Sequence, residues 1–267
     1  MPAAADPAEL RRVAEVVAVE AARLVRKGRA AGATVADRKS SAVDIVTQVD
    51  REVETFLRER LTGLRPEDGF LGEEGGRGSS STGTTWVVDP IDGTVNFFYD
   101  LPHYCVSVAA VDPDERAVAG AVADVARGQL YSAALGGGAT KGGSRLAVRG
   151  RAPLAERLFL TGFEYRAEVR ALQGEAVARL LPQVRDIRRM GSAALDLCAL
   201  AAGTADAYVE EGPRLWDRAA AGLIATEAGA VVEVHPGAGG NDCVVAAPAD
   251  TFEEVLRVVA ECGFLAS

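Results

Sequence analysis

The stretch Trp86–Phe97, WVVDPIDGTVNF, runs an apolar segment straight into two acids, Asp89 and Asp92, with a proline, a glycine and a threonine around them. An apolar run of this kind reads as a buried strand, so the charge has to sit where the strand stops. Pro90 fixes one φ angle and Gly93 permits a tight turn, so both carboxylates can face one side while the amides of Gly93 and Thr94 point outward. Such a turn can hold a cation and a phosphate together. Two further places repeat the pattern: Glu73 and Glu74 end the short strand GFLGEE, and Asp217 follows Trp216. Strand ends are where α/β proteins collect site residues.

The rest of the chain is read around these points. Asp6, Pro7 and Glu9 open a helix whose apolar positions are Leu10, Val13, Val17, Leu24 and Val25. A second helix is expected from about Val49 to Leu61, with Val53, Phe56 and Leu57 inward, Arg51, Arg58 and Arg60 outward, and Asp44 and Asp50 around its start. Residues 75–85, GGRGSSSTGTT, read as a mobile surface loop, and 105–134 as an antiparallel meander of three strands closed by GGGATKGG. That glycine-rich piece lacks the GK[ST] of a phosphate-binding loop and reads as a strand turn.

After Arg151 the texture becomes strand LFLTGF, helix 168–181, strand RDIRRM, helix 193–202, strand ADAYVE, helix 216–228 and strand AVVEV, which is an α/β alternation. The expected division is an α+β half, residues 1–147, and an α/β half, 148–267, with the boundary near 143–153.

Composition narrows the chemistry. With 48% hydrophobic residues in 267, the chain can bury a large core without disulfides, and its four scattered cysteines read as reduced core residues. A formal charge of −9 gives no footprint for nucleic acid or anionic membrane, and the charged N-terminal segment leaves neither a signal-peptide core nor a membrane span. A cytoplasmic enzyme is the expectation. Only two histidines are present, the cysteines form no CxxC pair, and the acids have no His or Cys nearby, so a donor set of carboxylates suits Mg2+ or Mn2+ rather than zinc.

The motifs GEE (72–74), DPIDGTVNF (89–97) and WDRAAAGLIATEAGA (216–230), with VDIVTQVD (43–50), GSAALDLC (191–198) and ADAYVEEG (205–212), occur together in one order. In these the chain resembles the inositol monophosphatase family over nearly its whole length. The resemblance implies a layered αβαβα sandwich, shared with fructose bisphosphatases, and Mg2+-dependent hydrolysis of small phosphate monoesters by a homodimer. It further implies two or three Mg2+ per subunit, with Mn2+ as a substitute. Glu73, Asp89 and the Ile91 carbonyl would hold one ion; Asp89, Asp92 and Asp217 would hold the second, which is also the place where lithium would inhibit.

By the same carry-over Glu73 and Thr94, with Asp44 behind Thr94, would activate the attacking water, and the amides of Gly93 and Thr94 would hold the phosphate. Asp92, Glu210 and the backbone at Ala193 would meet the polyol hydroxyls, or Glu211 in place of Glu210 if the register slips by one. Inositol 1-phosphate is the expected substrate. Histidinol phosphate, fructose 1,6-bisphosphate and the substrates of the nucleotide phosphatase branch are the alternatives on the same fold, and a regulatory binding protein is the alternative of another class. Trp216 is expected to anchor Asp217 from the core, His103 and Tyr104 to pack, and Arg188 and Arg189 to be solvated or paired.

Overall fold

The computed structural model describes residues 5–32, 35–38 and 45–266. Asp6 accepts a hydrogen bond from the Ala8 amide (3.0 Å), and Pro7 opens α1 (Pro7–Ala31). The buried stripe of α1 is Leu10, Ala14, Val17, Ala18, Ala21, Ala22 and Val25. Its alanines let the helix lie close to the sheet beneath. Leu24, expected inward, is 36% exposed because it falls one residue off this stripe.

An antiparallel pair, β1 (Val35–Arg38) and β2 (Ile45–Thr47), leads into α2 (Gln48–Leu64), which Thr47 and Asp50 cap reciprocally. Val53, Leu57 and Leu61 of α2 are buried, while Phe56 is only half-buried.

The large sheet is built from β3 (Gly69–Gly72), β4 (Gly76–Arg77), β5 (Thr85–Asp92), β6 (Cys105–Val111), β7 (Ala117–Asp124), β8 (Gln129–Ala134), β9 (Gly138–Lys141) and β10 (Ser144–Arg145), with the short α3 (Thr94–Tyr99) after β5. Its order is β10-β9-β8-β7-β6-β5-β3-β4, and β3–β5 is its parallel pair. The expected meander is therefore present. Within 75–85, read as a surface loop, β4 pairs with β3 and residues 78–84 lie outside regular structure; Asp68 anchors the end of this segment by accepting from Thr82 Oγ1 (2.6 Å) and Trp86 Nε1 (3.0 Å), and it also accepts from Arg65 Nε (2.9 Å). A buried carboxylate with three donors fixes a segment that composition alone marks as flexible.

Next come β11 (Leu158–Thr161), α4 (Ala167–Leu180), β12 (Asp186–Arg188), α5 (Ala193–Ala201), β13 (Ala207–Glu211), α6 (Leu215–Glu227), β14 (Ala230–Pro236), β15 (Asp242–Pro248) and α7 (Phe252–Cys262). The second sheet runs β12-β11-β13-β15-β14, with β11 parallel to both neighbours and β15 antiparallel to both of its own. β15, which pairs with β14 as a hairpin, and α7 extend the fold beyond AVVEV, the last strand read from the sequence.

Three hydrophobic clusters define the layers. α1 and α2 pack on one face of the large sheet, α5 and α6 fill the space between the two sheets, and α4 and α7 cover the outer face of the second. This is the αβαβα order. The middle cluster draws on both sides of the expected boundary near 143–153, joining Val87 and Val122 to Tyr208 and Val244. All four cysteines are buried and free. Among the described residues no helix is long and apolar enough to cross a membrane.

Candidate active site

In a regular strand, residues three apart project to opposite faces. Asp89 and Asp92 escape this rule through a bulge. Asp89 pairs with Ser107 and Asp92 with Cys105, so β5 spends three steps where β6 spends two, and the extra residue turns both carboxylates to the same side. The strand thus continues through Pro90 to Asp92 instead of ending at Asp89 in a turn, which corrects the sequence reading. Gly93 follows with φ 94°, and a Cβ there would lie 2.9 Å from the His103 carbonyl oxygen, so only glycine starts α3 at this point.

Asp217 arrives from the first turn of α6, where its carboxylate accepts from the Arg214 amide (2.5 Å). Asp89, Asp92 and Asp217 each bring an oxygen within 4.8 Å of the others. Glu73 joins them through the parallel register of β3 and β5: Gly72 lies beside Val88, so the next residues, Glu73 and Asp89, are neighbours. Burial holds the Asp89 carboxyl well above the usual range, and the charges of Glu73, Asp217 and Asp92 push it further. Burial also raises Asp92, against hydrogen bonds from Ser192 and Ala194. Crowded carboxylates that raise one another fit a hard divalent cation, which would remove the repulsion and find only oxygen donors.

Glu73, Asp89, Ile91, Asp92, Gly93, Thr94, Ala193, Glu210 and Asp217 line one cleft of about 290 Å3. Asp44 lies outside the described residues. Among the described residues the carboxylate that meets Thr94 is Asp50: Thr94 Oγ1 is 3.2 Å from Asp50 Oδ1 and 2.9 Å from the Ile91 carbonyl oxygen. Asp50 Oδ2 meanwhile accepts from the Thr47 amide (2.9 Å) in the cap of α2. The T-x-x-D capping box in VTQVD was the signal that could have singled out Asp50.

At the other end of the cleft, Glu210 and Tyr208 lie two apart on β13 and share a face, with Tyr208 OH donating to Glu210 Oε2 (3.0 Å). Burial, then the charge of Asp196, push the Glu210 carboxyl up to about 8. Glu211, the alternative if the register slips by one, also borders the cleft, but it is buried and accepts from the amides of Gly239 (3.0 Å) and Asn241 (2.9 Å). Gly162 makes room for Glu210: a Cβ at 162 would fall 2.0 Å from its carboxyl carbon.

The remaining expectations divide. Trp216 is half-buried against the middle core cluster and its carbonyl accepts from Ser107 Oγ (3.2 Å), in keeping with an anchor for Asp217. Tyr104 packs edge-on against Phe97. His103 does more than pack, since its Nε2 is 3.1 Å from Oδ1 of the buried Asp196, whose carboxyl burial pushes up to about 6. Arg188 pairs with Asp186 (2.5 Å), whereas Arg189 lines the cleft. The glycine-rich turn before β9 gives its Gly136 and Gly138 amides to Glu227 (both 2.7 Å), which leaves them for no phosphate.

The sequence model of the inositol monophosphatase family matches residues 6–262. The chain is 49% identical over 270 residues to the inositol-1-monophosphatase SuhB of Mycobacterium tuberculosis (strain ATCC 25618 / H37Rv), covering 94% of this chain and 93% of that relative. It is 35% identical over 256 residues to the protein named Nus factor SuhB in Pasteurella multocida, covering 92% of this chain and 95% of that one. The solved structure of Mycobacterium tuberculosis SuhB shares the fold with a TM-score of 0.85 at 46% identity, covering 98% of this chain and 99% of that one.

Proposed function

The chain belongs to the inositol monophosphatase family, and from that premise we propose that it is a Mg2+-dependent phosphoric monoester hydrolase acting on inositol 1-phosphate. The observation that carries this reading is one cleft with the Asp89–Asp92–Asp217 cluster on one wall and Glu210 on another. Glu73, Asp89, Asp92, Asp217 and the Ile91 carbonyl would hold two or three Mg2+, with Mn2+ as a substitute. When bound, such ions neutralise phosphate oxygens and lower the pKa of a coordinated water.

The chain's own residues supply the remainder. When Thr94 donates its hydroxyl proton to Asp50, its oxygen is left to accept from a water, and Glu73 offers a second acceptor beside Asp89. The amides of Gly93 and Thr94 face the phosphate at the start of α3. Glu210 and the backbone at Ala193 take ring hydroxyls, and Glu210 is oriented for this by Tyr208. Lithium inhibition at the ion position on Asp89, Asp92 and Asp217, a cytoplasmic location and the homodimer form expected of the family belong to the same reading.

The test is phosphate release from inositol 1-phosphate, fructose 1,6-bisphosphate, histidinol phosphate and glycerol 2-phosphate, with Mg2+ and with chelator. Turnover that requires Mg2+ and is fastest on inositol 1-phosphate is expected. Preference for histidinol phosphate would overturn the substrate, and activity persisting in chelator would overturn the metal. Asp92→Asn, which keeps the shape and removes a charge, should abolish turnover; full activity in that variant would remove the acid cluster from the chemistry.

A further inference from the structure

Ser192 sits at the N-cap of α5, and its evident duty is to accept from the Leu195 amide (3.3 Å). A shorter contact runs the other way. Ser192 Oγ donates to Asp92 Oδ2 at 2.6 Å, the Ala194 amide donates to the same oxygen at 2.7 Å, and the Cys105 thiol approaches it at 3.8 Å. Ser192 and Cys105 are themselves 3.6 Å apart. All three donors come from buried positions on two elements, β6 and α5, and converge on one oxygen of one carboxylate. A helix cap needs none of this.

We infer that Ser192 is a positioning residue for Asp92: with the Ala194 amide it saturates Oδ2, fixes the carboxylate plane and leaves Oδ1 as the ligand atom presented to the Asp89–Asp217 cluster. This rests on the reading of the cluster as a divalent-cation site. Outer partners that orient a ligating carboxylate matter to affinity because an unfixed carboxylate must be ordered each time the ion binds. The Cys105 contact is long and adds little. Ser192 is thus required twice, by α5 and by Asp92.

The two duties separate experimentally because glycine replaces serine at an N-cap with little loss, whereas alanine does not. Mn2+ binding to the full chain is measured by electron paramagnetic resonance of the free ion and by calorimetry, for wild type and for Ser192→Gly, Ser192→Ala and Ser192→Thr, with metal-free melting temperatures alongside. Ser192→Gly should melt close to wild type yet bind one Mn2+ about 10- to 100-fold more weakly. Ser192→Thr, which keeps the hydroxyl, should bind within a few-fold of wild type. Turnover of Ser192→Gly should be depressed at limiting Mg2+ and recover as Mg2+ is raised, a response that a helix cap would not produce. If Ser192→Gly binds Mn2+ as wild type does, or if weakening follows melting temperature across the three variants, Ser192 is a cap alone and the inference fails. If wild type itself binds no Mn2+, the reading of the cluster falls and the inference with it.

Discussion

Gly162 offers a way to move Glu210 without touching the acid cluster. β11 and β13 run parallel with Thr161 level with Val209, which brings Gly162 level with Glu210. A methyl at 162 would lie 2.0 Å from the Glu210 carboxyl carbon and from Oε1, and 2.2 Å from Oε2. Carbon and oxygen atoms in ordinary contact are about 3.5 Å apart, so the carboxylate must shift by well over 1 Å and gives up its bond to Tyr208. Gly162→Ala is therefore a displacement of Glu210.

Its size follows from the bond that is lost. A hydrogen bond to a charged partner is worth about 1.5–3 kcal/mol and one to a neutral partner about 0.5–1.5 kcal/mol. With the Glu210 carboxyl pushed up to about 8, both forms are populated near neutrality. A loss of about 1–2 kcal/mol is expected, which is about 5- to 30-fold in kcat/KM for inositol 1-phosphate. The assay compares that substrate with p-nitrophenyl phosphate, which has no polyol hydroxyls, at saturating Mg2+. The loss should appear on the first and be within about twofold on the second. Equal losses on both would mean that Gly162 supports the catalytic wall instead, and no loss on either would remove Glu210 from substrate contact.

Three further outcomes follow from the same geometry. The folded-state carboxyl of Glu210 is raised from 4.5 to about 8, so its contribution to stability is lost as pH rises through that window, and metal-free Glu210→Gln should melt like wild type near pH 5 and above it near pH 8; a difference that stays flat across the window would contradict the buried placement. Asp89→Asn should raise the metal-free melting temperature, because burial and three neighbouring charges all oppose its ionised form, and should abolish the further rise that Mn2+ gives wild type; a lower metal-free melting temperature would refute the crowding. Asp50→Asn should cut kcat by about 10²–10⁴-fold with KM nearly unchanged if Thr94 passes a proton to it; a KM effect without a kcat effect would place Asp50 outside the chemistry.

Much of this was legible in the chain, and the failures have physical causes. Periodicity located α1, α2, the meander and the βα units of the second half, since each buries one face with its own period. It missed β15 and α7, and it did not foresee the anchor on Thr82 and Trp86, because the buried Asp68 that holds them lies outside the segment's own composition. Glu73, Asp89, Asp92, Glu210 and Asp217 all line the cleft, whereas Glu74 does not, and Asp44 lies outside the described residues. What spacing could not reveal was the bulge that sets the facing of Asp89 and Asp92, or a glycine such as Gly162, whose meaning is the side chain of another strand.

Asp50 exposes a deeper difficulty. An acid near a helix start has a ready explanation as a cap, and in sequence the choice looks exclusive: cap or site. The same carboxylate has room for both roles. Asp50 gives Oδ2 to the amide at the start of α2 and Oδ1 to Thr94. Asp92 gives Oδ2 to the start of α5, and Asp217 gives Oδ2 to the Arg214 amide at the start of α6. A carboxylate has two oxygens, and a helix start needs only one of them. The positive ends of α5 and α6 thereby come to bear on Asp92 and Asp217, which partly offsets the repulsion that burial would otherwise make prohibitive. Backbone amides also fix each plane before any ion or phosphate arrives, so that little reorganisation is left for the moment of binding. Capping of Asp92 and Asp217 therefore helps these acids stand together, and it does not compete with a role in the cleft.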